Sequence, residues 1–286
     1  MALVVALGYA CLDYRFWVDR FPPMHARTPV SVFREALGGS AAVAAVAVAR
    51  LLGRAVFLGR CGDDDAGRRV ASALDAEGVD TRGLRVLAGA RTPVSGVLIG
   101  PGGERHIFPY PGGGFSDDAG WLPLEVLEGA QAVMIDARWP EGALRLAEAA
   151  RRRRLPVVLD LDRETSDAWG LAERATHVIA DRELAEVSGG VDAVLGRLAD
   201  LHAWGAVTLG EEGAAHRGGR VPAFAVSARD TTGAGDVFHG AFALGLGEGM
   251  DEASALTFAS AAAAQRCALA EVPRREEVVR LLGSGG

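Results

Sequence analysis

The densest group of chemically capable residues is Asp230-Thr231-Thr232-Gly233-Ala234-Gly235-Asp236, which runs directly into Val237-Phe238-His239-Gly240-Ala241-Phe242. Two glycines one residue apart open a helical pattern. At such a junction bare backbone amides can approach an anion, and the helix N-terminus adds partial positive charge. Asp236 lies at the same end, where the dipole favours its ionised form. An anion cradle beside a carboxylate suits phosphoryl transfer to an alcohol: amides hold the charge spreading over the phosphoryl while the acid takes the hydroxyl proton. A tight turn with an acidic helix start would use some of the same residues, but seven adjoining ones are far more specific than a bare G-x-G.

Asp13 is the second candidate. It follows an apolar run in Gly8-Tyr9-Ala10-Cys11-Leu12-Asp13, at the kind of strand end where ligands of α/β sheets collect. A carboxylate there can accept two neighbouring hydroxyls, or it can close an Asx turn. Gly38-Gly39-Ser40 reads as a close backbone approach to a ligand, as a helix start capped by Ser40, or as both. Asp63-Asp64-Asp65 suits the dipole of a helix start better than a metal. For Mg²⁺, a few carboxylates plus phosphates suffice, and Glu183 at a helix start, then Asp160, are the candidates. His239, three residues past Asp236, contacts that acid's helical face or simply packs.

Composition removes several alternatives. The chain contains no lysine and no asparagine, so a Walker-type lysine, a Schiff-base lysine and an Asn-linked glycan are excluded. All 30 basic side chains other than histidine are arginine, and the net charge is −7, which argues against a nucleic-acid footprint. The run Arg151–Arg154 fits the solvated end of a helix. Cys11, Cys61 and Cys267 form neither a disulfide framework nor a zinc spacing, in keeping with a reducing cytoplasm. The apolar start, residues 1–8, lacks a preceding positive charge and reads as a buried strand, and no stretch approaches a membrane span. No G-x-S-x-G or metal-hydrolase histidine pattern is present.

The elements that must position these residues alternate as βα units. Strands are expected near 3–8, 55–59, 131–136, 156–160, 177–179 and 205–209. Helices are expected at 39–52, 64–77, 141–153, 181–188, 191–203, 235–246, 251–267 and 274–282. Residues 14–37 and 91–113 interrupt that rhythm with strand pairs around Pro/Gly turns. Together they would form a small β layer covering a ligand at the sheet edge. The tail, Gly283-Ser284-Gly285-Gly286, reads as a fraying end.

In this order the motifs resemble those of the ribokinase-like (PfkB-type) carbohydrate kinases. The likeness spans nearly the whole chain: Gly8 and Asp13, Gly38-Gly39-Ser40, Gly59 through Gly67, Thr208-Leu209-Gly210 with Gly213, and finally Gly233-Ala234-Gly235-Asp236. It implies an α/β fold: a doubly wound, mostly parallel sheet with helices on both faces and a small β-strand lid. The chain would be a single domain over 1–286, with lid strands inserted at about 14–37 and 91–113. By that resemblance Asp236 is the base, and amides around Gly233, Ala234 and Gly235 form the anion hole. Asp13, Gly38, Gly39 and Ser40 hold the sugar; Gly210, Gly213 and Thr231 flank ATP; the Asp230 region faces a monovalent-cation (K⁺) loop, and Mg²⁺ accompanies ATP near Glu183.

Departures from the family pattern are visible. Ser40 and Ala180 stand where many members carry Asn. The segment Cys267-Ala268-Leu269-Ala270-Glu271-Val272-Pro273 lacks the glycines of the family's loop between its last two helices. Within the family the chain is most similar to bacterial fructokinase-like and sulfofructose kinases, through Gly102-Gly103-Glu104-Arg105, Tyr110-Pro111 and Asp136-Ala137-Arg138-Trp139. That likeness implies a small, ketose-like acceptor, with Arg138 gripping an anionic group such as a sulfonate. Alternatively, Arg138 pairs with Asp136 or Asp160. The competing readings are a nucleoside kinase, stacking a base on Phe16 or Phe108, and a sensor that binds sugar or nucleotide without turnover. A homodimer through the lid and a cytoplasmic location are the further expectations.

Overall fold

A computed structural model describes residues 1–23, 25 and 27–284 of the chain. The strands in chain order are β1 (Leu3–Gly8), β2 (Cys11–Trp17), β3 (Val32–Gly38), β4 (Arg54–Gly62), β5 (Asp80–Leu87), β6 (Val94–Ile99), β7 (Arg105–Tyr110), β8 (Ala132–Asp136), β9 (Val157–Leu161), β10 (His177–Ala180), β11 (Trp204–Thr208), β12 (Ala214–His216) and β13 (Gly219–Val221). The helices are α1 (Ser40–Arg50), α2 (Asp65–Ala76), α3 (Pro140–Arg152), α4 (Ser166–Ala172), α5 (Arg182–Val187), α6 (Val191–Asp200), α7 (Ala234–Gly247), α8 (Glu252–Leu269) and α9 (Arg275–Ser284). The expected tail falls partly within α9, while Gly285 and Gly286 lie outside the described residues.

The main sheet has the order β13-β12-β11-β10-β9-β8-β1-β4-β5. Pairing is parallel from β5 through β11, and β12 and β13 add an antiparallel edge. Strand β1 lies between β4 and β8, so the chain reverses its winding there, and ligands of open α/β sheets bind beyond strand ends at such a point.

Alternation along the strands builds two cores. Val4, Ala6, Met134 and Val158 pack with α1, α7 and α8, while Leu3, Val5, Leu7, Val133, Ile135 and Leu159 pack on the opposite face with α3, α4 and α6. Both faces are therefore apolar, which is why these strands read as continuous hydrophobic runs. By the same two-residue period Asp136 and Asp160, register partners across β8 and β9, point to the α7 side. Helix α1 is alanine-rich because it lies flat against α7: a Cβ on Gly240 would stand 2.4 Å from the Ala44 carbonyl oxygen.

The interrupting segments form a second sheet, ordered β3-β2-β6-β7. Val32, Phe33, Ile107, Phe108 and Tyr110 are exposed on its two edge strands. Asp64 is the N-cap of α2, accepting from the Gly67 amide at 2.9 Å, and α3 ends within the Arg151–Arg154 run. The acidic triple and the basic run are thus helix-end devices, as their dipole preferences suggest. No helix among the described residues is long and apolar enough to cross a membrane.

Candidate active site

Helix α7 begins on Gly233, whose left-handed φ of 77° turns the chain into the helix. The first intrahelical bond runs from the Val237 amide to the Gly233 carbonyl at 3.0 Å. Amides in a first turn lack intrahelical acceptors. That of Ala234 donates to the Thr231 carbonyl at 3.3 Å, whereas those of Gly235 and Asp236 have no internal acceptor among the described residues. The Gly233 amide likewise has no internal acceptor among the described residues, so of Gly233, Ala234 and Gly235 only Ala234 is engaged, and Asp236 adds a further open amide.

The Asp236 carboxyl folds back over this turn, its Oδ2 lying 3.5 Å from where a Cβ on Gly233 would stand. Burial raises its pKa above the ordinary carboxylate value, and the negative charges of Asp13 and Asp162 push the same way against the pull of His239 and Arg138. Desolvation thus acts against the helix dipole, which favours the ionised form. A raised pKa is what a general base working near neutrality needs. His239, one turn along, is held by the Gly235 carbonyl (Nδ1–O 2.6 Å) and lies 3.5 Å from Asp160 Oδ1. It is a buried electrostatic neighbour of the acids as well as a packing residue.

Beneath this turn, strand ends supply a floor of acids. Asp136 Oδ2 accepts from the Tyr9 amide at 2.7 Å and the Ala41 amide at 3.3 Å, and Oδ1 accepts from the Arg138 amide at 2.9 Å. It clamps the β1–β2 turn to the start of α1. Arg138 pairs with Asp162, not with Asp136 or Asp160 as its spacing suggested, and its guanidinium lies 5.4 Å from the Tyr9 ring centroid. The partner differs because Asp136 is already occupied by three amides. Arg138 Nε is buried without a partner among the described residues.

Asp13 stands within β2, paired to both β3 and β6, so it does not close an Asx turn. Its carboxyl fills the space a Cβ on Gly38 would need, at 2.4 Å. It accepts from Arg15 Nη2 at 3.0 Å and from the Cys11 thiol at 3.4 Å. Gly39 is the N-cap of α1 and Ser40 its first residue, with no side-chain capping bond. The capping role considered for Ser40 therefore falls to a glycine backbone, leaving the hydroxyl uncommitted. Phe16 packs on Phe33, and Phe108 stacks on His106.

Asp230 is fully buried between two guanidinium groups. Its Oδ2 lies 3.2 Å from Arg15 Nη1 and 3.0 Å from Arg266 Nη2, and its Oδ1 accepts from the Thr232 amide at 2.8 Å. Burial by itself would raise this carboxyl; Arg266, Thr232 and Arg15 together hold it below the ordinary range. The expected K⁺ contact at Asp230 thus meets two guanidinium groups, with both carboxylate oxygens already accepting hydrogen bonds. Sequence reasoning missed Arg15 and Arg266; the available signal was a charge inside an apolar strand and another inside an alanine-rich helix, where it must be paired. Thr231 donates to the Gly103 carbonyl at 2.9 Å and accepts from Arg105 Nη1 at 2.9 Å, joining the cradle turn to the β6–β7 turn.

At the other end, Gly210 and Gly213 form a tight turn after β11, pinned by Arg182, which bonds the Leu209 carbonyl and Glu212. From β1 to β11 is four strand steps, or about 19 Å at the usual spacing. Glu183 is exposed on the first turn of α5; the neighbouring Asp181 carboxyl is raised mainly by burial, with the charges of Glu183 and Asp162 adding to it. Asp181 itself caps α5, accepting from the Leu184 amide at 2.7 Å, and no group of three or more acids, histidines or cysteines able to hold a metal ion by themselves is found among the described residues.

The fold and this site define a sugar-phosphorylating class. The pfkB family carbohydrate kinase model matches residues 1–271, and the chain belongs to that family. It is 32% identical to the ATP-dependent ribose-1-phosphate kinase of Halopiger xanaduensis, over 92% of this chain and 91% of that one. With fructokinase-1 of Zea mays the identity is 31%, over 84% and 81%. A putative ribokinase from Agrobacterium tumefaciens superposes with a TM-score of 0.91 at 33% identity, covering 99% of this chain and 98% of that one. The protein is an ATP-dependent carbohydrate kinase.

Proposed function

We propose that the chain transfers the γ-phosphate of ATP to a hydroxyl of a small ketose, fructose-like and carrying an anionic group such as a phosphate or sulfonate. The observation that carries this reading is the Asp236 carboxyl, poised above ordinary acidity beside the open amides of Gly235 and Asp236 and within electrostatic reach of Asp13. Asp13, with the Gly38-Gly39-Ser40 turn, holds acceptor hydroxyls. Asp236 removes the proton from the attacking hydroxyl, and the amides receive the charge of the transferred group. ATP lies towards Gly210 and Gly213, its phosphates near Thr231. Asp162 and Glu183 would hold Mg²⁺, which supplies charge neutralisation of the phosphates when bound.

Arg138 supports the anionic acceptor: its Nε is buried and unpartnered, and a guanidinium fork can grip an oxyanion while keeping Asp162. The likeness to a ribose-1-phosphate kinase and a fructokinase points the same way. The four-stranded sheet acts as a lid that excludes water. Its exposed apolar residues on β3 and β7 support a homodimer through the lid, and the three unbridged cysteines support a cytoplasmic location.

The test is a panel of acceptors with ADP detection: fructose, ribose, ribose 1-phosphate, fructose phosphates and sulfofructose. The reading expects the highest kcat/KM on an anionic ketose, with selectivity over the neutral sugar lost in Arg138→Ala. Preference for a neutral aldopentose, unaltered in that variant, would refute the acceptor assignment while leaving the kinase chemistry intact.

A further inference from the structure

The structure assigns to Arg266 the place an alkali cation would take beside Asp230: a built-in guanidinium, assisted by Arg15, is the permanent counter-charge of the cradle turn, and turnover needs no monovalent cation. Every oxygen of Asp230 is engaged. Oδ1 accepts from the Thr232 amide, Oδ2 from Arg15 and Arg266, and the backbone carbonyl from Arg266 Nη1 at 3.3 Å. A dehydrated alkali ion needs several oxygens with free lone pairs. The neighbouring Cys267 carbonyl is also used, accepting from the Arg229 amide at 2.8 Å and the Asp230 amide at 3.3 Å.

Charge argues the same way. Asp13, Arg15, Asp230 and Arg266 form one buried chain of ion pairs with two acids and two bases. The relative exposures of Asp230 and Arg266 are 0% and 2%, so the balance is set inside the protein and a further cation would meet two guanidinium groups. Arg266 is also placed to act on the cradle, since its Nε lies 3.9 Å from where a Cβ on Gly233 would stand. Helix α8 makes this possible by continuing to Leu269, through part of the segment where the family resemblance calls for a glycine-rich loop. Arg266 is thus a positioning residue: it touches neither reactant but fixes the turn whose amides do the work.

The inference takes from the kinase assignment only its activity readout. Initial rates and thermal melting of the wild-type protein are measured in chlorides of K⁺, Na⁺, Cs⁺ and tetramethylammonium at equal ionic strength. The expected kcat agrees within about twofold across the series, the residual left by ion-specific screening, and melting does not separate K⁺ from tetramethylammonium. Equilibrium dialysis against radioactive rubidium ion, which needs no acceptor, shows no saturable retention. Stimulation by K⁺ of about tenfold or more, or saturable rubidium binding, overturns the assignment. Arg266→Met loses about tenfold in kcat in tetramethylammonium and regains most of it with K⁺ or guanidinium, while Arg266→Lys stays close to wild type in both salts. A folded Arg266→Met protein with unchanged kcat also overturns it, and if that variant does not fold, the wild-type salt series and dialysis decide.

Discussion

Asp13 and Arg15 lie two residues apart on one face of β2, joined by a 3.0 Å ion pair between Oδ2 and Nη2. Arg15 continues to Asp230 at 3.2 Å. The acid proposed to hold acceptor hydroxyls is thereby wired to the turn proposed to receive the phosphoryl group, through a single side chain on the second sheet.

Replacing Asp13 by Asn keeps the side chain's shape but removes its charge. A hydrogen bond from a ligand to a charged group contributes roughly 1.5–3 kcal/mol. The acceptor KM should therefore rise about ten- to a hundredfold, with a smaller change in kcat. Steady-state rates at saturating ATP measure both, and an unchanged KM would remove Asp13 from the acceptor site.

Asp236→Asn should lower kcat by about a thousandfold, the usual reach of a general base, while circular dichroism and ATP binding stay close to wild type. In the wild type, the acid limb of the kcat/KM profile should fall above the ordinary carboxylate range, because burial raises this group. An acid limb near pH 4 would show that the free enzyme's base is not held in this environment.

Asp160 gives a stability test with a definite sign. Burial, with help from Asp162, Asp236 and Asp136, raises its pKa from 3.8 to about 7 against the pull of His239. The folded state then binds more protons than the unfolded chain between those values, so this carboxyl's contribution to stability declines as pH rises through that window. Asp160→Asn escapes the penalty. The melting temperature of the variant minus that of the wild type should increase from pH 4 to pH 7 and then level off; a gap independent of pH would exclude the raised carboxyl.

The α2 cap is a control remote from the chemistry. Asp64 accepts from the Gly67 amide and from both the amide and the hydroxyl of Thr92. Asp64→Ala should cost about 1–2 kcal/mol of stability, read from urea unfolding, with kcat unchanged.

The central strands and every helix except α4 were legible, most of them because they carry an uninterrupted apolar run or a clear 3.6-residue period. Strand β5 (Asp80–Leu87) was not: on the sheet edge only one of its residues, Gly83, is buried, so it shows no hydrophobic run. Helix α4, of seven residues, was not: the polar stretch 162–165 separates it from β9, whereas the comparably short α5 follows β10 after the single residue Asp181 and is marked by that junction. The cradle and Asp13 were visible as local motifs. Asp230's partners were not, since Arg15 lies 215 residues away in sequence and Arg266 lies 36 away. Pairings of that range belong to the tertiary structure, and the sequence hints at them only through charges placed among apolar neighbours.

The bonds of Thr231 to Gly103 and Arg105 have a mechanical consequence. Whatever tilts the second sheet away from the strand ends must first unfasten the loop ahead of α7. If the second sheet closes over the acceptor as proposed, loading of the acceptor and readiness of the phosphate receptacle would be one event, and ATP arriving at an unlatched enzyme would find no finished place to discharge its terminal group onto water.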